Sequence, residues 1–269
     1  MMTDWLGISR KIAAEIRAEV GRYSGTAKGR AVVSERGAGG DETVYLDALA
    51  EEILFKHLRE LSSGGEKFRV LTEETGFVDF GAQFPIVVVD PVDGSMNAKM
   101  GLPFYAFSIA VYEGGTMADG IFGYVMNLAD GSEFHAERGG EAYYRSEPVC
   151  KIEEKDTIDF LSIELPNDLA GIEKVMPVVM DAYKVRVMGS LALGICYAAA
   201  GVLDLFLHLK RSRVLDYAAA KVIMEAAGGK ITDEKGSGLD GLPIDLERRA
   251  WLAASRHENL IKKVYECFR

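Results

Sequence analysis

The run Ile86-Val87-Val88-Val89-Asp90-Pro91-Val92-Asp93-Gly94-Ser95 constrains this chain more than any other stretch. Four successive β-branched residues favour a buried strand, and Pro91, which has no amide to give to a sheet, ends the ladder just after Asp90. The chain must turn there, with Asp90 and Asp93 flanking the turn. Two carboxylates three residues apart, with the Val92 carbonyl between them, make an oxygen-rich set suited to a hard cation such as magnesium. Gly94 lets backbone approach a ligand closely, and the amides of Gly94 and Ser95 can form an anion-binding nest beside the cation. The plainer alternative is that both acids only cap a turn, since Asp, Pro and Gly are the usual turn residues.

Two further acidic clusters weigh against that alternative. Leu71-Thr72-Glu73-Glu74 places a carboxylate pair at the end of the preceding strand, so Glu73 lies beside Asp90 if the two strands pair. Asp216 opens a helix, where the helix dipole favours negative charge and where capping alone would also explain an acid. Four carboxylates gathered at the ends of elements would repel one another unless cations held them together.

Periodicity places these residues. Apolar residues recur at helical spacing over residues 4–20 and 43–61, and Asp47 falls in the first turn of the second helix. Between these helices, residues 24–41 are glycine-rich and basic, predicting a mobile loop with room for a short hairpin. Its Gly37-Ala38-Gly39-Gly40 lacks the G-x-G-x-x-G spacing and the leading strand of a dinucleotide loop. Strands are predicted at 68–71, 86–89, 107–112 and 117–126, followed by a polar ribbon over 133–144, and are expected to form one large sheet. Beyond residue 147 the order is mixed: strand 160–164, helix 172–183, strand 185–188, helix 191–200, strand 203–207, helix 216–227 and helix 258–267. A boundary near residue 147 therefore separates residues 1–147 from 148–269, with no Pro- or Ser-rich linker.

The 269 residues carry 31 Lys and Arg against 41 Asp and Glu, a net charge of −10, which argues against a duplex-binding surface. Three dispersed cysteines, Cys150, Cys196 and Cys267, fit a reducing compartment better than a disulfide framework. No apolar run approaches the roughly 18 residues of a membrane span, and the N-terminus has no secretory pattern, so the expectation is a cytoplasmic protein. His57, His135 and His257 read as surface residues without chemistry.

Taken together, Glu73-Glu74, the run Asp90-Pro91-Val92-Asp93-Gly94-Ser95-Met96-Asn97, and Leu215-Asp216-Tyr217-Ala218-Ala219 resemble the three signatures of the inositol monophosphatase family, in the family's order and spacing. The resemblance extends over nearly the whole chain, and the central motif is highly specific. It implies a layered α-β-α-β-α sandwich of the α/β (α+β) class, with a mostly antiparallel sheet in the first half and a mixed sheet in the second. It implies a phosphomonoesterase using magnesium, two or three ions per site with manganese as a substitute, and a homodimer.

By that resemblance Glu73, Asp90, the Val92 carbonyl, Asp93 and Asp216 are the metal ligands, and Asp47 and Ser95 orient the attacking water, whose deprotonation Glu73 assists through its metal. The Gly94 and Ser95 amides hold phosphate, and Asp93 borders the substrate. Leu215 stands where the family customarily has Trp, and Thr72 where Gly is common. The 37–40 loop is implied to close over a third metal.

The second half is expected to supply specificity. Arg186 and Leu191 match the segment that lines the family's sugar pocket, although a strand-edge Arg and an ordinary helix Leu would look the same. Lys210 and Arg211 lie in a segment where animal members of the family have a Glu that contacts inositol hydroxyls; they suit a second anionic group, which favours fructose-1,6-bisphosphate as a substrate beside inositol monophosphate, and a solvated basic loop is the competing reading. Alternatives are a nucleotide 3'-phosphatase or NADP phosphatase of the same family, and a non-catalytic relative that only binds metal or sugar phosphate.

Overall fold

Alternation along residues 86–89 sets the architecture. Ile86 and Val88 enter one core with helices of the second half, while Val87 and Val89 enter another with the N-terminal helices. The structure, a computed structural model, describes residues 3–34, 38, 42–166 and 168–268. Its first half contains α1 (Trp5–Tyr23), β1 (Val32–Ser34), β2 (Thr43–Val44), α2 (Tyr45–Ser63), β3 (Phe68–Thr72), β4 (Gly76–Asp93), α3 (Ser95–Met100), β5 (Ala106–Tyr112), β6 (Gly120–Asn127), β7 (Glu133–Glu137), β8 (Ala142–Tyr144) and β9 (Glu147–Pro148). Its second half contains β10 (Ile158–Glu164), α4 (Leu169–Asp181), β11 (Ala182–Arg186), α5 (Leu191–Ala199), β12 (Leu205–Ser212), α6 (Val214–Ala226), β13 (Lys230–Thr232), β14 (Ala250–Ser255) and α7 (Glu258–Phe268).

A seven-stranded sheet runs β3-β4-β5-β6-β7-β8-β9, and a five-stranded sheet runs β11-β10-β12-β14-β13. The first is antiparallel except along β3, which lies between two arms of β4. Its partners descend from Gly81 to Gly76 on one side and ascend from Ile86 to Val89 on the other. The second sheet is mixed, with β10 parallel to β11 and β12, and β14 antiparallel to β12 and β13.

Helices α1 and α2 cover one face of the large sheet. Helices α5 and α6 fill the space between its other face and the small sheet, where Phe206, Leu252 and Ala254 join their core. Helices α4 and α7 close the far side through Val175, Val178, Leu260, Ile261 and Val264. The five layers are those the family resemblance implies, and the middle layer joins both halves through one core. The three cysteines are free.

Several elements depart from the predicted ones. Helix α4 begins at Leu169, behind an N-cap in which Asp168 accepts from the Gly171 amide at 2.7 Å, and ends at Asp181. That frees residues 182–186 for β11, an edge strand whose exposed positions give little apolar signal. The first arm of β4, β13 and the Ala-rich β14 were not legible as strands, because partners from elsewhere in the chain, rather than local propensity, hold them. The hairpin expected within residues 24–41 extends past them: β1 pairs with β2 at Thr43–Val44, predicted as the start of the second helix, which begins at Tyr45, while residues 37, 39 and 40 of the glycine stretch lie outside the described residues. His57 and His257 are buried rather than superficial: His57 Nε2 lies 2.7 Å from Glu15, and His257 donates its amide to Ser255 Oγ at 2.9 Å.

Candidate active site

Pairing fixes the first acidic group. Thr72 is in parallel register with Val89, so Glu73 and Asp90 leave the same end of neighbouring strands. Thr72 itself donates to buried Glu51 of α2, whose other oxygen accepts from Thr75 Oγ1 at 2.9 Å. The turn carrying Glu73 and Glu74 is thus anchored by a carboxylate one helical turn beyond Asp47 on α2. Thr43 donates to Glu74, and the Ala38 amide donates to the Glu74 carbonyl at 2.8 Å, drawing the β1–β2 region toward the same place.

Asp90 Oδ1 accepts from the Val92 amide at 3.0 Å, which pins the turn after the strand. Asp93 reaches across to the second half. Its carboxylate accepts from Ser190 Oγ, from the Ala192 amide at 2.9 Å and from the Leu191 amide at 3.3 Å, at the start of α5. Gly94 follows with φ +84°, and a Cβ there would stand 2.9 Å from the Gly189 carbonyl, so only glycine fits this crossing. Asn97 clamps the same junction by donating to the carbonyls of Phe104 at 2.7 Å and Met188 at 2.6 Å. Asp216 accepts from the Arg213 amide at 2.8 Å in the first turn of α6, and the Arg213 guanidinium pairs with Glu73.

These groups line one cleft with two lobes. The first lobe, about 340 Å³, is lined by Glu42, Asp47, Glu73, Glu74, Asp90, Val92, Ser95 and Lys99, among others. The second, about 220 Å³, shares Glu73, Asp90, Val92 and Ser95 and adds Asp93, Gly94, Glu164, Gly189, Leu191, His208, Arg213 and Asp216. The structure therefore brings Glu73, Asp90, Val92, Asp93, Gly94, Ser95, Leu191 and Asp216 to the second lobe, and Asp47 to the first beside Glu73, Asp90, Val92 and Ser95. Arg186, Lys210 and Arg211 are exposed and line neither lobe; Arg186 donates to its neighbour's carbonyl at 3.0 Å.

The gathered acids are electrostatically costly. Burial, then Asp93, Glu73 and Asp216, push the Asp90 carboxyl well above the usual carboxylate range. Burial raises Asp93 to about 6 against the opposing hydrogen bonds from Ser190 and the α5 amides. Asp216 rises to about 7 through burial and Glu73. Asp47 also rises to about 7, chiefly by burial, with Lys99 opposing. Among the described residues no three acidic, His or Cys side chains already converge closely enough to coordinate one ion. The donor set is nevertheless all oxygen, mutually repelling and supplied by both halves, which fits a hard divalent cation and no soft one.

Five contributors were not read from the sequence. Glu51 and Lys99 sit four residues from Asp47 and Ser95, a spacing that could have flagged them. Arg213 lies one turn before Asp216. Glu164 accepts from the amides of Met188 and Gly189 at 3.2 and 2.6 Å, and His208 is a half-buried imidazole lowered to about 4 by desolvation, then by Lys210; neither carries a sequence signal.

Comparison with known proteins settles the relationship. The model of the inositol monophosphatase family matches residues 2–269. The chain belongs to the inositol monophosphatase family. It is 32% identical, over 98% of its length and 97% of the other's, to a fructose-1,6-bisphosphatase/inositol-1-monophosphatase of Archaeoglobus fulgidus. A bifunctional NADP phosphatase/NAD kinase of Methanococcus maripaludis is 30% identical over 98% of this chain and 49% of its own. A solved inositol monophosphatase–fructose 1,6-bisphosphatase superposes with a TM-score of 0.86 at 27% identity, covering 98% of this chain and 100% of that one. As a member of this family the chain is a phosphatase of small-molecule phosphates, from a family that uses divalent metals. Among the described residues no helix is long and apolar enough to cross a membrane.

Proposed function

We propose that the chain is a magnesium-dependent phosphomonoesterase acting on inositol monophosphate and fructose-1,6-bisphosphate. The observation that carries this reading is a single cleft lined by Glu73, Asp90, Asp93 and Asp216 from both halves, with Ser95 and Asp47 beside them. Glu73, Asp90, the Val92 carbonyl, Asp93 and Asp216 would hold the metal, two or three magnesium ions or manganese. When bound, the metal supplies an activated water and a clamp on phosphate oxygens.

The protein's own residues do the rest. Ser95 opens α3 at the junction of the two lobes, where its hydroxyl and the Asp47 carboxylate orient the water. The Gly94 and Ser95 amides take the phosphate. The second lobe receives the leaving alcohol between Leu191, Glu164 and His208. His208 is neutral at physiological pH, so it presents a hydrogen-bonding ring without a charge. Lys210 and Arg211 lie outside the lobe and can meet only a second phosphate that projects beyond it. The protein works as a cytoplasmic homodimer without nucleic-acid or membrane partners.

The test is magnesium-dependent phosphate release from inositol 1-phosphate, fructose 1,6-bisphosphate, phosphoadenosine phosphate and NADP. Turnover of the first two is expected. Release confined to the nucleotides would overturn the substrate assignment in favour of the second reading, which the likeness to the NADP phosphatase supports.

A further inference from the structure

The first lobe is strongly acidic, yet it contains one cation that the family signatures do not name. Ser95 and Lys99 stand four residues apart on α3, so they share a helix face, and both line this lobe. Met96 also lines this lobe, while Met100 is 59% exposed. Lysine ordinarily carries its ammonium into water. Here the side chain is only 18% exposed, and its Nζ lies 4.0 Å from Asp47 Oδ2, itself on a side chain 13% exposed. Lys99 is the only cationic side chain among the described residues lining the lobe, against the carboxylates of Glu42, Asp47, Glu73, Glu74 and Asp90.

We propose that Lys99 is a positioning residue: its ammonium holds the Asp47 carboxylate in place on the water-facing side of the cleft, one helical turn from Ser95. The proposal rests on the phosphatase reading and adds a residue to it. The ion pair spans α2 and α3, which meet at this lobe, so it sets where Asp47 stands relative to the Ser95 hydroxyl. Lys99 lines only the first lobe, whereas Leu191, Glu164 and His208, which the proposed function places around the leaving alcohol, line only the second. The expected signature is therefore a defect in turnover and not in substrate binding.

The experiment compares wild type, Lys99→Met and Lys99→Arg in inositol 1-phosphate hydrolysis and in manganese binding by calorimetry. Lys99→Met is expected to lower kcat about tenfold with KM nearly unchanged and with manganese binding no weaker, while Lys99→Arg restores most of kcat. Unchanged kcat in Lys99→Met, a loss that arginine does not rescue, or a loss matched by weakened manganese binding would overturn the proposal. Melting of Asp47→Asn, Lys99→Met and the double variant gives a readout independent of turnover. Lys99→Met is expected to lower Tm in the wild-type background and to lower it clearly less in the Asp47→Asn background, where its attraction to Glu74 remains. Equal effects in both backgrounds would overturn the pairing. If wild type releases no phosphate, the phosphatase reading falls, and the melting cycle still decides whether Lys99 holds Asp47.

Discussion

Asp90 shows how function and stability oppose each other at one residue. Its carboxyl is buried and crowded by three other acids, so without a metal its charge is a cost to the fold. Asp90→Asn keeps the size of the side chain and an oxygen able to accept from the Val92 amide. Above neutral pH in chelator, that variant is expected to melt higher than wild type by about 2–4 °C, the shift that about 1 kcal/mol gives in a chain of this size. Its phosphatase activity is expected to fall by about a hundredfold or more if Asp90 is the cation ligand we propose. A lower melting temperature in chelator would contradict the reading of Asp90 as a repelled carboxylate. Asp93→Asn is the contrasting case. Asp93 is hydrogen-bonded to Ser190 and two α5 amides, so its replacement is expected to abolish activity and to weaken the junction between the halves.

Short elements carry the junction, and Asn97 is its clearest clamp. Its side-chain amide serves two backbone carbonyls, one in each half of the chain. Asn97→Ala leaves both without that donor and is expected to destabilise by about 2–3 kcal/mol, read by denaturant melts, since each loss costs roughly 1 kcal/mol or more. At this scale the sequence was partly legible. Strand 86–89 and helix 45–63 announce themselves by alternation and by helical period, and the Asp90–Asn97 motif is local, so its turn could be placed from the residues themselves. The first arm of β4, β14 and the edge strand β11 could not, because they are strands through partners distant in sequence. The same limit applied to the site. Metal-type carboxylates cluster at recognisable motifs, whereas Lys99, Glu164, His208 and Arg213 gain meaning only when the cleft closes around them. Lys210 and Arg211 carried the stronger sequence signal of the basic segment, yet Arg213 is the member that turns inward.

For the whole molecule, the raised acids predict a definite pH dependence. Asp93 stands at about 6 and Asp47 and Asp216 at about 7 in the folded chain, against an ordinary aspartate near 4 when unfolded. The metal-free fold therefore binds more protons than the unfolded chain across that interval. Its stability is fully present below the interval and declines as pH rises through it. Divalent metal competes with those protons, so its stabilising effect is larger on the alkaline side. Melts in chelator are expected to show a lower Tm at about pH 8 than at about pH 5, with added magnesium recovering more at the higher pH. A Tm that rises across this range in chelator would show that these carboxyls are not held in the protonated form by the fold.

Both halves of the chain contribute carboxylates to one cleft, and the account stands on that cleft holding a divalent cation for phosphate-ester hydrolysis. The most direct measurement is inorganic phosphate released from inositol 1-phosphate by the purified protein, first stripped with chelator, then resupplied with magnesium, beside Asp216→Asn treated identically. The account expects silence after chelation, full recovery with magnesium, and no recovery in the variant. Undiminished release by the stripped protein, or full activity in Asp216→Asn, would contradict it.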